Sequence, residues 1–531
     1  MALRYVFNAN ESRAEGGQHE AASAVQDKAQ STQSAQTSES TADSEATSFE
    51  WVAFALVLAA ATAVRFYGLT AGGLHLDEGY SLIQSERSLY DIFALNRFDA
   101  NPPLYIVILH LWRAVLGDGE FALKSLAALG GVVGVLAAGL AARERFGRTA
   151  GVATSLIVAL NAFHIHHSQE IRGYSLLFAA IAAADYLFVR WHRRGEGRAL
   201  VGWAITAWVA VNIHHFAWYF VALHTASVVF FSSQKDRRAS VLKALACVVF
   251  ASAPMLTSFA VHLVVHQSQS WIPLRDFNNL VIILGAVGGE LPVAVLVWGA
   301  AVLGLGAFGL KLATAKASPP TSEPHDLALC FGVPALQLLL PVILFAGSHL
   351  FFPMLLSRYC LITLLPLSVL AGAGVASIKS NPALAAIALA FVVVSYGPLQ
   401  SLYAKELRHA YLQQWSEAVA DGYREGDVVV YTDKHVFVPS IALHPPEMDE
   451  FMLPELKGRH RSSVLEHYTA REVRRPPLVM GDYRRLWLVK HPRENLRDIL
   501  LDPWFAGVGL RLIRRVPRSE VYLFALGRRD N

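Results

Sequence analysis

Residues 51–69 read WVAFALVLAAATAVRFYGL. At a helical rise of about 1.5 Å per residue this run covers about 28 Å, close to the roughly 30 Å hydrocarbon core of a bilayer. It ends a polar segment, residues 1–50, rich in Ser, Ala, Glu, Gln and Thr and poor in large aliphatic side chains. Such a composition cannot bury enough apolar surface to offset the entropy of ordering, so residues 1–50 read as a disordered cytoplasmic tail. No short apolar segment with a small-residue cleavage site precedes residue 51, which makes 51–69 an uncleaved signal anchor.

The same character extends along the chain. Hydrophobic residues make up 54% of the 531 and charged residues 17%, against about 25% charged in soluble proteins; mean hydropathy is +0.36. A water-soluble enzyme is excluded. The formal charge of +4 is too small to indicate a nucleic-acid partner. Cys247, Cys330 and Cys360 fall inside apolar stretches without metal-ligand spacing, so neither a disulfide framework nor a zinc knuckle is indicated.

Further spans fall near 121–142, 150–165, 174–191, 199–213, 216–232, 241–263, 291–312, 327–349, 359–377 and 382–399, giving about eleven transmembrane helices over residues 51–399. Basic residues cluster in the short loops between them: Arg143, Arg145 and Arg148; Arg190, Arg193, Arg194 and Arg198; Lys235, Arg237 and Arg238; Lys311 and Lys316; Lys379. All five groups share one side if the spans are right, and the positive-inside rule makes that side cytoplasmic. The segment 103–116, PLYIVILHLWRAVL, would break this parity if it crossed. It therefore reads as a helix lying at the outer interface, within a first external loop of residues 70–120.

Beyond residue 400 charges become dense. Residues 428–431, 486–489, 509–513 and 521–524 read as strands and 404–421 as an amphipathic helix, so 400–531 is a small extracytoplasmic α/β domain.

Ionisable residues beside apolar spans are costly and mark candidate sites. The first group is His75, Asp77 and Glu78; Asn101, ahead of Pro102 and Pro103, lies in the same loop. The second is the run His164-Ile165-His166-His167-Ser168-Gln169-Glu170-Ile171-Arg172-Gly173-Tyr174. On the orientation above both open on the outer side, as do His214, His215, Arg358 and Tyr359. Imidazoles with a carboxylate suit a divalent metal such as zinc or manganese, or else hydrogen-bond helix-end carbonyls. The arginines suit a phosphate held bidentately, or snorkel to lipid phosphates.

These elements resemble the GT-C class of integral membrane glycosyltransferases, in particular the branch containing protein O-mannosyltransferases and the lipid A aminoarabinose transferase. Asp77-Glu78 matches the acidic pair of the first external loop; Ser168-Gln169-Glu170-Ile171-Arg172-Gly173-Tyr174 matches the Ser-Gln-Glu-x-Arg-x-Tyr element intact. Arg358-Tyr359 is similar to a late Arg-Tyr element, and His214-His215 to a Thr-His or His-aromatic pair. The resemblance spans roughly residues 50–400. It departs at Asn101, where a histidine is expected before Pro-Pro-Leu-Tyr. An amide cannot titrate, so that histidine's role is absent here or displaced to His75 or His164, and a different sugar or acceptor is implied.

The resemblance implies inverting transfer of a sugar from a polyprenyl-phosphate donor to a lipid, polysaccharide or protein acceptor outside a bacterial inner membrane. Asp77 would be the base. Glu78 and Glu170 would orient the acceptor or hold a divalent metal, and no other cofactor is implied. Arg172 and Arg358, with Tyr174 and Tyr359, would hold the donor phosphate, with His75, Asn101, Gln169, His214 and His215 in support. Partners would be the lipid-linked sugar, membrane lipids and the acceptor. A polytopic transporter or flippase is the competing class, but no inverted repeat is visible in the sequence. A silent scaffold whose external domain binds a partner is a third reading.

Overall fold

The computed structural model describes residues 50–95, 101–266, 272–315, 328–409, 411–445, 447–453, 483–490, 494–501, 505 and 508–528. The expected tail up to residue 49 and the expected loop cation Lys316 lie outside them. Two compact units are distinguished. Residues 1–56 are described from residue 50 onward and are helical there; the second unit is Val57–Asn531.

The second unit begins with a helix over residues 57–66, α1. It continues through α2 (Leu76–Ser85), α3 (Leu89–Leu95), α4 (Leu104–Leu116), α5 (Glu120–Phe146), α6 (Arg148–Leu160), α7 (Ala162–His167), α8 (Tyr174–Arg194), α9 (Gly197–Ile213) and α10 (Ala217–Phe231). Next come α11 (Lys235–His266), α12 (Phe277–Val287) and α13 (Val293–Ala315). After a π-turn at Ala328–Gly332 follow α14 (Val333–Gln337) and α15 (Leu340–Leu350). A 3₁₀ segment, Ser357–Thr363, leads into α16 (Leu364–Ala376), α17 (Asn381–His409) and α18 (Tyr411–Gly422).

Among the described residues six helical stretches are long and apolar enough to cross a membrane: Glu120–Phe146, Tyr174–Arg194, Lys235–Leu256, Leu329–Leu350, Ser357–Ala376 and Asn381–Ala404. Six more are apolar but shorter, among them α6, α9, α10 and α12. The polytopic all-helical architecture is as expected; the figure of eleven spans is not reproduced by length and composition alone. Helix α4 is one of the short ones, about 20 Å at 1.5 Å per residue, which falls short of a hydrocarbon core if upright.

Helix α8 sets the axis of the bundle. It begins at Tyr174, beside the acidic elements, and ends after a rise of about 30 Å at Arg194, where Gly195 takes the left-handed conformation (φ 68°) that a side chain would resist. Three of the basic loops, at 143–148, 190–198 and 235–238, gather at that far end. Arg194 pairs with Glu144 at 2.8 Å, Arg237 donates to the His192 carbonyl at 2.6 Å, and Arg193 donates to Cys330 Sγ at 3.2 Å. Arg145 is the exception to the expected loop cations. It is turned inward, buried, and gripped bidentately by Asp185 of α8 at 2.7 and 2.6 Å.

The C-terminal segment forms a five-stranded mixed sheet in the order β2-β1-β3-β5-β4. Its strands are β1 (Asp427–Tyr431), β2 (Glu450–Met452), β3 (Arg485–Val489), β4 (Val508–Arg515) and β5 (Val521–Arg528). β1 runs parallel to β2 and β3, and β5 antiparallel to β3 and β4. Alternation places Val428, Val430, Leu486 and Leu488 on one face and Val429, Tyr431, Trp487 and Val489 on the other. The second face receives α18 and α19 (Lys434–Leu443), together with Ile83 of α2. The four expected strands are all present. The helix expected at 404–421 is instead the end of the continuous α17 followed by α18. β2, at three residues, and α12 were not anticipated.

Candidate active site

The residues 75–81 are not the loop that their polarity suggests. Helix α2 starts at Leu76 and carries Asp77 and Glu78 in its first turn, where acidic side chains complement the helix dipole. Its inner side packs on the sheet domain, and Gly79 makes this possible. A Cβ at residue 79 would lie 2.9–3.0 Å from the Val438 side chain and backbone of α19. The glycine of the sequence Asp-Glu-Gly-Tyr is thus a docking point between the acidic helix and the sheet domain.

Glu78 is fully engaged. Its Oε2 accepts the His75 N–H and its Oε1 the Ile171 N–H, both at 2.8 Å, and Lys124 Nζ stands 4.0 Å away. With its side chain 2% exposed, burial pushes its carboxyl above the usual range, against the pull of Lys124 and His75. One carboxylate therefore ties the start of α2 to the loop between α7 and α8. Lys124 also donates to the Gly73 carbonyl at 2.9 Å and pairs with Glu120 at 2.9 Å. Its signal in the sequence was a lysine inside an apolar run.

Asp77 faces the other way. Its Oδ2 accepts from Arg358 Nη1 at 2.7 Å, with the two side chains 37% and 24% exposed. Arg172 Nη1 donates to the Asp77 carbonyl at 3.1 Å and to Ser81 Oγ at 3.0 Å. The Arg172 guanidinium stands 5.9 Å from the ring centre of Tyr174. Tyr359 packs against His214 at 4.8 Å and Tyr174 at 6.5 Å between ring centres. The first loop, the Ser-Gln-Glu element, the turn after α9 and the late Arg-Tyr pair thus meet at one end of the bundle.

His214 Nδ1 accepts the Phe216 N–H, and burial, with His215, Arg172 and Arg358 nearby, pushes the ring down to about 3. The neutral ring keeps its proton on Nε2. That atom is buried without a partner among the described residues, as is the Tyr105 hydroxyl. Both residues line a cavity beside Arg172 together with Asn101, Arg87 and Tyr174. Arg87 and Tyr105 were not among the expected site residues; Tyr105 stands in the Pro-Pro-Leu-Tyr sequence that could have pointed to it.

Glu170 lies one ring away. Its Oε2 accepts from His167 Nδ1 at 2.7 Å, and Oε1 lies 3.3 Å from His166 Nε2. Burial opposes its charge, but the two imidazoles outweigh that and hold the carboxyl below the usual range. Burial likewise lowers His167, against the pull of Glu170, so a neutral imidazole donates to a carboxylate. Gln169 turns away from the cavity and donates to the Arg65 and Tyr67 carbonyls at 3.0 and 2.9 Å, fixing the end of α1. His164 is buried, and its Nδ1 is hydrogen-bonded to Arg65 at 2.7 Å. The arginine can only donate, so His164 accepts. The titrating role missing at Asn101 is therefore not taken over by His164. His75 stays in place as the residue before α2, and His215 lies partly exposed beside His214.

The fold is ArnT-like, and a family model matches part of the chain. Residues 100–264 match the family model for dolichyl-phosphate-mannose-protein mannosyltransferase. The chain is similar in structure to ArnT from Cupriavidus metallidurans in the apo state, with TM-score 0.62 and 16% identity over 90% of this chain and 98% of that one. The same protein bound to undecaprenyl phosphate matches with TM-score 0.56 and 17% identity over the same shares. No curated protein matches in sequence.

Proposed function

We propose that the chain is an inverting membrane glycosyltransferase. It moves a hexosyl or pentosyl group from a polyprenyl-phosphate donor to a lipid, polysaccharide or protein of the cell envelope, on the external side of a bacterial inner membrane. The observation that carries this reading is the convergence of Asp77, Arg172 and Arg358 at the end of an apolar bundle away from its basic loops. That the structural neighbour binds undecaprenyl phosphate supports a donor of this kind.

A phosphate leaving group needs cations for its developing charge more than it needs an acid. Arg358 and Arg172 supply them from two separate elements. Asp77, the partly exposed carboxylate of the cluster, accepts the proton of the attacking hydroxyl. Glu78, with both oxygens on backbone N–H groups, is a positioning residue. The apolar helices keep the polyprenyl tail in the bilayer, and the sheet domain, docked on α2, borders the acceptor side.

The test is transfer by the purified full chain from a panel of polyprenyl-phosphate sugars, scored beside lipid translocation in proteoliposomes. Transfer that Asp77→Asn abolishes while the protein stays folded is expected. Near-normal turnover of that variant overturns the base assignment; translocation without transfer overturns the transferase reading.

A further inference from the structure

The turn after α7 brings His166, His167 and Glu170 together. One ligand atom from each can be chosen so that all three lie within 4.8 Å of one another. We propose that these three side chains form a binding site for a divalent transition-metal ion of the zinc class. Two imidazole nitrogens and one carboxylate oxygen are a donor set suited to such an ion, and they leave a fourth position for water or an anion.

The carboxylate already bridges the two rings, at 2.7 Å from His167 Nδ1 and 3.3 Å from His166 Nε2. Ligands on a tetrahedral ion with bonds of about 2.0–2.1 Å stand about 3.4 Å apart. A pair at the full 4.8 Å therefore has to close by about 1.4 Å, which the 33%-exposed His166 side chain can provide by swinging. His167 is fixed, 6% exposed and packed between Phe163 at 4.7 Å and Tyr174 at 5.4 Å. Its Nε2 is buried without a hydrogen-bond partner among the described residues.

The ion would tie down the loop that carries Arg172 and lie one ring, Tyr174, from it. The two histidines precede the Ser-Gln-Glu-x-Arg-x-Tyr element, and Glu170 belongs to it. The site stands whether or not the chain transfers sugars, and its test needs no substrate.

Tag-free full-length protein, stripped with EDTA, is titrated with Zn2+ against a chromophoric chelator, and with Co2+ for its visible spectrum. About one equivalent is expected, with a tetrahedral Co2+ spectrum. His166→Ala and Glu170→Gln should each weaken binding by at least about tenfold, the loss already typical of removing a group that merely supports a ligand. His435→Ala, an exposed histidine of the sheet domain, should leave binding unchanged. Absence of a saturable site, or a site retained by both ligand variants, overturns the proposal. Thermal unfolding of each variant separates loss of the site from loss of the fold.

Discussion

Asp77 Oδ2 and Arg358 Nη1 form a 2.7 Å hydrogen-bonded ion pair between residues 281 apart in sequence. The carboxylate oxygen that holds the guanidinium is not open to an acceptor hydroxyl, and a phosphate is a better bidentate partner for arginine than one carboxylate oxygen. Donor binding would draw Arg358 off Asp77 and leave the carboxylate to the acceptor, so the donor should bind first. Arg358→Gln should weaken donor binding about 10–100-fold, from the roughly 1.5–3 kcal/mol of a hydrogen bond to a charged group. Asp77→Asn should abolish turnover and leave donor affinity within a few-fold. Equilibrium binding of the donor to both variants checks this; equal loss of affinity in the two would contradict the division of roles.

The turn after α9 makes stability sensitive to acid. His214 ionises at about 3 in the folded chain, against 6.5 for an ordinary imidazole, and His167 is lowered in the same direction. Below pH 6.5 the unfolded chain takes up protons that these buried rings refuse. Folded stability should therefore fall as pH drops from 6.5 towards 3, by up to about 1.4 kcal/mol per pH unit for His214. His214→Gln should flatten this slope. Thermal midpoints of both proteins between pH 7 and pH 5 are the measurement, and parallel curves would show that His214 does not contribute.

The acidic helix meets the sheet domain most closely at Gly79. Adding a methyl at Gly79 forces it to within 2.9–3.0 Å of Val438, including that residue's backbone, which cannot turn aside as a side-chain tip can. Gly79→Ala should push α2 off α19, lower turnover, and expose the sheet domain to limited proteolysis; Gly79→Leu should do so more severely. Unchanged digestion with lost activity would place the role of Gly79 in the cavity instead.

What the sequence revealed and what it hid follow from distance along the chain. The polar elements at Asp77, at Ser168–Tyr174 and at Arg358 could be named because each breaks an apolar pattern locally, and the strands because they alternate. Helix α2 was hidden because it is short and opens on Asp77, Glu78 and Gly79, a polar run that reads as a loop, although Leu76, Tyr80 and Ile83 share one face. The backbone bonds of Glu78 were hidden because Ile171 is 93 residues away. Arg145 read as a loop cation because its neighbours are basic. Asp185, an acid inside an apolar run, was the available sign that a cation had to turn inward to meet it.

That inward pair offers a control far from the chemistry. Arg145 and Asp185 are 0% and 3% exposed, and Asp185 Oδ1 also accepts from His224 Nε2 at 2.9 Å, whose ring stacks on Phe188. Removing one partner strands a buried charge, whereas replacing both with apolar groups removes the desolvation cost with the attraction. Asp185→Leu alone should destabilise the protein by about 3–5 kcal/mol. Arg145→Met combined with Asp185→Leu should recover much of that loss, short of the unpaired His224 N–H, which costs about 1–3 kcal/mol. Because Asp185 lies about 16 Å along α8 from Tyr174, at 1.5 Å per residue, turnover per folded molecule should be unchanged in the double variant. Thermal midpoints and activity normalised to folded protein test both halves: a double variant as unstable as the single one would mean that the ion pair is a net stabiliser, and a stable but inactive one would show coupling along α8 to the site at Tyr174.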